Sequence, residues 1–494
     1  MTTSTVSEVV PSQQRALKVL LAVGALWYLG SYLVVALARI AYPYDLEWME
    51  GGMLEHVARV LRGQSLYVPP SIEFTPYIYS PLYYYVAAPF AKLLGLRLLA
   101  LRMVSLIASI GVLGLIAALA HVGSSSRLGA LVAAGIFAAL FERSGAFFDL
   151  ARVDSLALFF VLLAIKMLLA SERRDVAGGV LLAAAFFTKQ SALLVAVPVA
   201  AARTWSLRGP RRFQCVTSFL VLAAAGSVSL HLLTKGWSTY YMFSLPASHA
   251  WAREFWVKFW FADLVSVVPV ALAALVIRFA CTPIVPAMSL VEGAAVLGSL
   301  FESWFSRLHI FGAANVLMPA YACLAWQAGV VLDCMRRPEA PPAGRRFFGW
   351  ACLAQLALLW FAAWKEVPTA ADRAAGAALV ARLAAIPGPV LISCHPHLAR
   401  LAGKAAYAHQ MALVDVMRGQ PREVADALRT DIRRRLETRE FAAVVVDVDQ
   451  DWLPVDRSAS YIRTQPLFAG QPAVFWTKAG WVVRPRDIYE RRPE

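Results

Sequence analysis

Residues 42–67 read YPYDLEWMEGGMLEHVARVLRGQSLY, a polar and aromatic insert between two apolar runs. Asp45, Glu47 and Glu50 fall within six residues of it. Acids crowded beside a bilayer repel one another unless protons, a metal or a cationic ligand sit with them. The insert continues through Pro69, Pro70 and Pro76 to Ser80, and five tyrosines flank Pro81 over residues 77–85. After the Pro43 turn, Leu54, Val57 and Leu61 recur at helical spacing and predict a helix over 53–61. An amphipathic helix just outside a span is expected to lie along the membrane interface.

The rest of the chain explains why a bilayer is invoked. Of 494 residues, 59% are hydrophobic and 16% charged, and the mean hydropathy is +0.58. That is too apolar for a soluble globule and indicates an α-helical multi-pass membrane protein. The net charge of +15 does not point to nucleic acid, because the basic residues lie mostly in short loops between apolar runs, where they act as topology signals. The six cysteines are scattered, and all but Cys394 fall in or beside apolar runs, so no disulfide framework or cysteine metal site is indicated.

A polar tail, residues 1–18, precedes the first run, 19–38, which has no charge and is long enough to span. It is too long for a signal-peptide core, although Ala36-Leu37-Ala38 resembles a cleavage site. Arg15 and Lys18 place the N-terminus in the cytoplasm and the first loop, 41–102, outside. Further runs cover 103–120, 128–148, 155–170, 176–187, 191–202, 213–233, 261–277, 284–301, 310–332 and 347–364. These make about eleven crossings by length and charge. Runs 176–187 and 191–202 are read as two crossings around Thr188-Lys189-Gln190, because a single helix would leave Arg203, Arg208, Arg211 and Arg212 outside. Lys189 is then expected in a wet cavity open to the outer face. The loop 235–260, rich in tryptophan and tyrosine, reads as interfacial.

The membrane domain is expected over 19–364, and residues 365–494 read as a small α/β domain outside. Helices are predicted at 371–385 and 422–436, strands at 389–394 and 441–448, and weaker strands at 474–477 and 481–483.

Each polar candidate has a plain alternative. One or two of the three loop acids could be solvated surface groups, and Asp154 before Ser155 fits a helix N-cap. Yet Asp149 and Asp154, flanking Arg152, fall on the same outer side as the loop acids, with Lys189, Arg253, Arg307 and His309 as cationic partners. Carboxylates with cations at an outer face suit an anionic lipid substrate and a general base. His395 and His397 have the density of a metal site, but a strand-end loop with exposed histidines is the commoner arrangement. Arg433, Arg434 and Arg435 read as a solvated helix face. Asp263 and Glu292, inside apolar runs, are expected to pair with other helices or line the cavity.

With these residues in place, the chain resembles polytopic glycosyltransferases of the GT-C fold, close to the bacterial family 39-like group that includes protein O-mannosyltransferases and lipid A aminoarabinose transferases. The likeness rests on the acidic start of the first loop followed by HVARVLRGQSLY and YSPLYYY; on ARVDSLAL at 151–158; on GGVLLAAAFFTKQSALL at 178–194; and on GAANVLMPA at 312–320. The tail GPVLISC with LAGK is similar to the outer domain of many bacterial members. The resemblance implies transfer of a hexosyl or pentosyl unit from a polyprenyl-phosphate donor to an acceptor hydroxyl on a glycan, lipid or protein of the cell envelope, with inversion. It implies a bacterial inner membrane as the location, with membrane lipids as partners. Asp45 would be the base, with Glu47 or Glu50 positioning the acceptor. Lys189, Gln190, Arg152, His309, Arg307 and Arg253 would hold the donor phosphate. A divalent cation is left open at Asp154 and Asp149. Members usually carry adjacent Asp-Glu where this chain spreads DLEWMEG, so Asp45, Glu47 and Glu50 all stay in contention, Glu50 by its spacing to Ala58-Arg59 and Gly63. A flippase or transporter of lipid-linked sugars is the rival class, since broken helices with a central lysine also occur there. An inactive binding relative is the third.

Overall fold

The computed structural model describes residues 4–124, 126–280, 288–335, 341–448, 450–464 and 466–492. Cys281, the start of the run 284–301, and Arg336 and Arg337 lie outside them. Every predicted apolar run carries a helix among the described residues. In chain order α1 is Ser4–Arg39, α2 Glu50–Leu61, α3 Leu82–Leu94, α4 Leu98–Ser124, α5 Arg127–Ala139, α6 Asp154–Ala170, α7 Asp175–Thr188, α8 Leu193–Ser206 and α9 Gln214–Leu233. Short turns α10 (Trp237–Thr239), α11 (Leu245–Ala247) and α12 (Phe255–Lys258) precede α13 (Pro269–Ala280), α14 (Leu290–Leu308), α15 (Met318–Cys334) and α16 (Pro342–Leu358).

Fewer of these helices meet a length-and-apolarity test for spanning than the expected eleven. Among the described residues Gln13–Arg39, Leu98–Gly123, Pro210–Leu233 and Ala314–Cys334 pass alone. Two bent pairs, Phe255–Val265 with Pro269–Ala280 and Arg346–Leu358 with Ala363–Ala385, raise the number to six. Most of the others are short: α7 and α8 have 14 residues each, about 21 Å of helix against about 30 Å of hydrocarbon, while α14, 19 residues long, carries Glu292, Glu302 and Arg307. The run 128–148 is helical only to Ala139, after which residues 140–153 fold back as a largely buried loop through a left-handed Gly145.

The break at Lys189 is where the sequence puts it. Lys189 is extended, with φ −149° and ψ 117°, and a 3-10 turn at Gln190–Ala192 leads into α8. The two halves choose different neighbours: α7 packs on α6 and α9, α8 on α14. The loop 235–260 is half interfacial. Trp251, Trp256 and Trp260 are exposed, while Tyr241 is buried over Tyr67.

The C-terminal residues form α17 (Ala370–Ala385), α18 (Pro396–Leu401), α19 (Gln410–Arg418) and α20 (Arg422–Glu437) against a mixed sheet. Its strands are β1 (Val390–Ile392), β2 (Ala443–Val446), β3 (Tyr461–Arg463) and β4 (Asp487–Arg491), in the order β1-β2-β4-β3. β1 and β2 are parallel, joined by the helical crossover, and the other pairs are antiparallel. The weaker strands expected at 474–477 and 481–483 do not form; Thr477 and Val483 instead close a turn on each other. β3 and β4 escaped notice because arginine and acids interrupt their apolar pattern.

The helix expected along the interface is also different. It starts at Glu50, and Glu50 to Ala58 are buried under α3, α4 and α18. Gly51 and Gly52 make this close packing feasible: a Cβ on Gly52 would sit 1.9 Å from the Tyr77 hydroxyl, and one on Gly51 3.0 Å from His397 Cβ. His56, below them, donates to the Gly52 carbonyl (2.7 Å) and accepts from the Tyr77 amide (2.9 Å) while stacked on Tyr77 and Tyr84. Burial pushes its pKa down to about 3, so it is a neutral structural group.

Candidate active site

The three loop acids have three different fates. Glu50, in the first turn of α2, forms a two-pronged pair with Arg102 of α4, at 2.9 and 2.5 Å. Its oxygens also accept from the backbone of Leu46 (2.7 Å) and Ala151 (2.8 Å). The same guanidinium donates to the carbonyls of Tyr42 (2.6 Å) and Tyr44 (2.8 Å), so the loop is wrapped around it. Burial opposes ionisation of Glu50, but Arg102 and these N–H donors carry its pKa below the usual value. Both oxygens are occupied, which makes Glu50 an anchor.

Asp45 turns the other way. Its Oδ2 meets His395 Nδ1 at 2.9 Å, and His395 Nε2 meets Asp447 Oδ2 at 2.9 Å. His397 Nε2 donates to the Pro43 carbonyl (3.0 Å). The exposed-histidine expectation therefore fails: both are buried, because α18 packs directly against α2.

Glu47 alone stays chemically poised. Its Oε2 accepts from the Met49 amide (3.2 Å) and from Arg152 Nη1 (3.1 Å), and Oε1 accepts no hydrogen bond from any described residue. Burial lifts its pKa to about 7 against the pull of Arg152, with Glu50 and Asp45 adding to the rise. A carboxyl near pH 7 suits proton transfer.

From Glu47 a polar chain leads inward. Arg152 Nη2 donates to the Tyr79 hydroxyl (2.6 Å). Lys189 Nζ and Asn315 Nδ2 both donate to Asp154 Oδ1 at 2.9 Å. Ser191 donates to Glu302 (2.8 Å), and Gln190 donates to the Ile78 and Met242 carbonyls. Asp154, Lys189, Glu302 and Asn315 line a recess floored by Val161, Met318 and Pro319. Asp154 is the first residue of α6 and makes no capping bond, so its carboxylate serves the recess. Three buried polar atoms here have no partner: Arg152 Nε, Asp154 Oδ2 and Gln190 Oε1. Lys189 uses one of its three donors. Buried polar groups are nearly always satisfied, so open valences gathered beside two basic side chains make this recess a candidate site.

Other expected site residues lie elsewhere. Asp149 is locked to Arg39 by bonds of 2.8 and 2.6 Å, both side chains fully buried. Arg307 pairs with Asp263 (3.0 Å), His309 faces His249 (3.0 Å), and Arg253 is exposed. Glu292 caps α14 from within and reaches Arg278 at 3.4 Å. No group of three His, Cys, Asp or Glu among the described residues is arranged to hold a metal. Asp149 and Asp154 do not fit a shared cation, since each is already taken by a different basic side chain. Sequence reading missed Arg102, Tyr79, Glu302 and Asn315. Glu302 lies one residue past the end of the run 284–301, so the signal used for Asp263 and Glu292, an acid inside an apolar run, passed it over.

No family model matches the chain, and no curated protein matches it. Solved structures do. The crystal structure of ArnT from Cupriavidus metallidurans bound to undecaprenyl phosphate superposes with a TM-score of 0.58 at 13% identity, covering 95% of this chain and 99% of that one. Its apo state gives 0.56 at 12% identity with the same coverage. The Archaeoglobus fulgidus oligosaccharyltransferase in the apo form gives 0.50 at 11%, over 88% and 73%. The chain has the GT-C fold: a helical membrane protein with a small mixed α/β unit at its C-terminus.

Proposed function

We propose that this protein is a membrane glycosyltransferase that moves a sugar from a polyprenyl-phosphate carrier to an acceptor hydroxyl, with Glu47 as the general base. The fold is shared with a protein crystallised with undecaprenyl phosphate. The observation that carries the reading is the set of valences left open among the described residues at the buried Arg152 and the half-buried Lys189: Arg152 Nε and two donors of Lys189, next to Asp154 Oδ2 and Gln190 Oε1.

In this reaction the acceptor oxygen attacks the anomeric carbon, and the bond from that carbon to the phosphate oxygen breaks on the opposite face, giving inversion. The acceptor proton passes to Glu47, and polyprenyl phosphate leaves with the electron pair. Negative charge grows on the leaving phosphate, where Arg152 and Lys189 stabilise it. Asp154, itself fixed by Asn315, holds Lys189 in place for that task. A positioned base contributes about 10²- to 10⁴-fold. Glu50 is spared this role because both its oxygens serve Arg102 and backbone amides; Asp45 gives Oδ2 to His395, while its buried Oδ1 has no partner among the described residues.

The basic loops orient the N-terminus to the cytoplasm and the 365–494 unit outward, on a bacterial inner membrane. Retention of undecaprenyl phosphate by protein in lipid nanodiscs, read by native mass spectrometry, tests donor binding. Wild type should hold it, and Arg152→Gln and Lys189→Ala should release it; equal retention by all three contradicts the site.

A further inference from the structure

The C-terminal unit grips the acid loop at many points. His397 holds Pro43, Arg400 pairs bidentately with Glu55 (2.7 and 2.5 Å), and His409 Nε2 bonds the Trp48 carbonyl (2.8 Å). The amides of Lys478 and Ala479 both donate to the Leu46 carbonyl (2.8 and 3.0 Å), and Arg435 reaches Glu73 (2.6 Å). Most of these contacts only fasten one unit to the other. The Asp45–His395–Asp447 contact does something more.

Both ring nitrogens of His395 lie 2.9 Å from a carboxylate oxygen. A neutral imidazole has one N–H, so one nitrogen would aim a lone pair at a carboxylate. The imidazolium, with both N–H groups donating, satisfies both contacts at once. Burial works against that charge, but Asp447 and Asp45 outweigh it and lift the His395 pKa to about 10. No arginine or lysine bonds Asp45 among the described residues, so His395 supplies the cation that balances it. This matters because Asp45 lies two residues from Glu47 and raises its pKa by repulsion.

We infer that His395, held charged by Asp447, is a positioning residue for the transfer reaction: its imidazolium offsets part of the Asp45 charge and so limits the repulsion that Asp45 exerts on Glu47. A residue 350 positions away, on a separate unit, thereby sets the working protonation state of the base. The inference rests on the glycosyltransferase reading above. The groups facing this pair are known from every side. The loop itself brings Tyr42, Glu47, Glu50, Tyr77 and Tyr79, α2 brings Glu55, α4 brings Arg102, the segment before α6 brings Arg152, and the C-terminal unit brings Cys394, His397, Arg400, His409 and Asp447. His409 stays neutral, burial taking its pKa down to about 3, so His395 is the titrating cation on that unit.

The test compares wild type, His395→Gln, His395→Lys and Arg400→Gln in two measurements on the full chain in nanodiscs. In ¹⁵N-histidine spectra at pH 8, the signal lost in His395→Gln should have both nitrogens at imidazolium positions in wild type. A neutral ring there overturns the inference whatever the activity. In pH–rate profiles of sugar transfer from polyprenyl-phosphate donors, His395→Gln should move the acidic limb up by on the order of one pH unit. That is about a tenfold loss below the limb, with full or nearly full rate at pH 9 and an unchanged KM for donor. His395→Lys, which keeps a cation, should restore the limb. Arg400→Gln, which loosens the grip through Glu55, should leave it in place. A uniform loss of kcat in His395→Gln with an unmoved limb reduces His395 to a structural contact and overturns the role. No transfer by wild type from any donor defeats the transferase reading and this role with it; a working wild type with an unmoved limb defeats the role alone.

Discussion

Replacing Glu50 by glutamine should cripple the fold of the acid loop before it touches chemistry. The side chain keeps its shape, but its amide nitrogen must face donors. Arg102 Nη2, Arg102 Nε, Leu46 N and Ala151 N all point at the two Glu50 oxygens, from 2.5 to 2.9 Å. One of those oxygens becomes an NH₂ group, and the fully buried guanidinium loses its counter-charge. Breaking a buried ion pair by removing one partner costs about 3–5 kcal/mol, because the remaining charge stays desolvated. Spread over a chain of this size, that corresponds to a fall in apparent melting midpoint of roughly 3–5 °C. A thiol-reactive dye melt in detergent, on matched wild type, Glu50→Gln and Glu47→Gln, reads it directly. Glu47→Gln is expected to cost only about 1 kcal/mol, since Glu47 is already near half-protonated at neutrality and makes a single bond to Arg152. A Glu50→Gln protein as stable as wild type would refute the assignment of Glu50 as an anchor, and with it the reason for preferring Glu47 as the base.

Transfer should rise with pH through about 7 as Glu47 ionises, the acidic limb of a pH–rate profile reporting its raised pKa; a flat profile between pH 5 and 8 contradicts this. The same raised pKa makes Glu47 cost stability as pH rises from its unfolded value near 4.5 to about 7, because the folded state binds the proton more tightly over that window. The Asp45–His395–Asp447 contact has the same sense in a higher window: its stabilisation is complete below the unfolded histidine value near 6.5 and is lost as pH climbs through about 10. Limited proteolysis or hydrogen exchange should therefore show the C-terminal unit loosening from the acid loop near pH 10 and not at pH 8. Gly52→Ala should destabilise by about 1–3 kcal/mol, since its Cβ would fall 1.9 Å from the Tyr77 hydroxyl, and Gly63→Ala, with nothing within 4 Å, serves as the comparison for a positive-φ glycine without a clash.

Periodicity and charge made most of the membrane part legible. Runs of apolar residues became helices, and the polar break at Lys189 became an extended residue between α7 and α8 with the lysine turned to Asp154. The pairing of Asp263 with Arg307 and of Glu292 with Arg278 also followed from acids inside apolar runs. What stayed hidden was partnership at long range. Nothing local distinguishes Asp45, Glu47 and Glu50; their roles are set by His395, Arg152 and Arg102, which lie 350, 105 and 52 residues away respectively in the chain. The α2 helix reads as amphipathic from its sequence, yet a second unit covers its polar side, so an interfacial position was the wrong inference from a correct pattern. His395 and His397 looked like exposed loop residues for the same reason: the surface that buries them belongs to the first loop.

The central claim is that Glu47 takes the acceptor proton. Purified protein in lipid, given a panel of labelled polyprenyl-phosphate sugars and cell-envelope acceptors with and without chelator, provides the measurement. Wild type should transfer sugar, and Glu47→Gln should lose at least about 10²-fold while keeping its melting midpoint and its bound undecaprenyl phosphate. Wild-type transfer by Glu47→Gln, with the loss appearing in Asp45→Asn instead, would contradict the account.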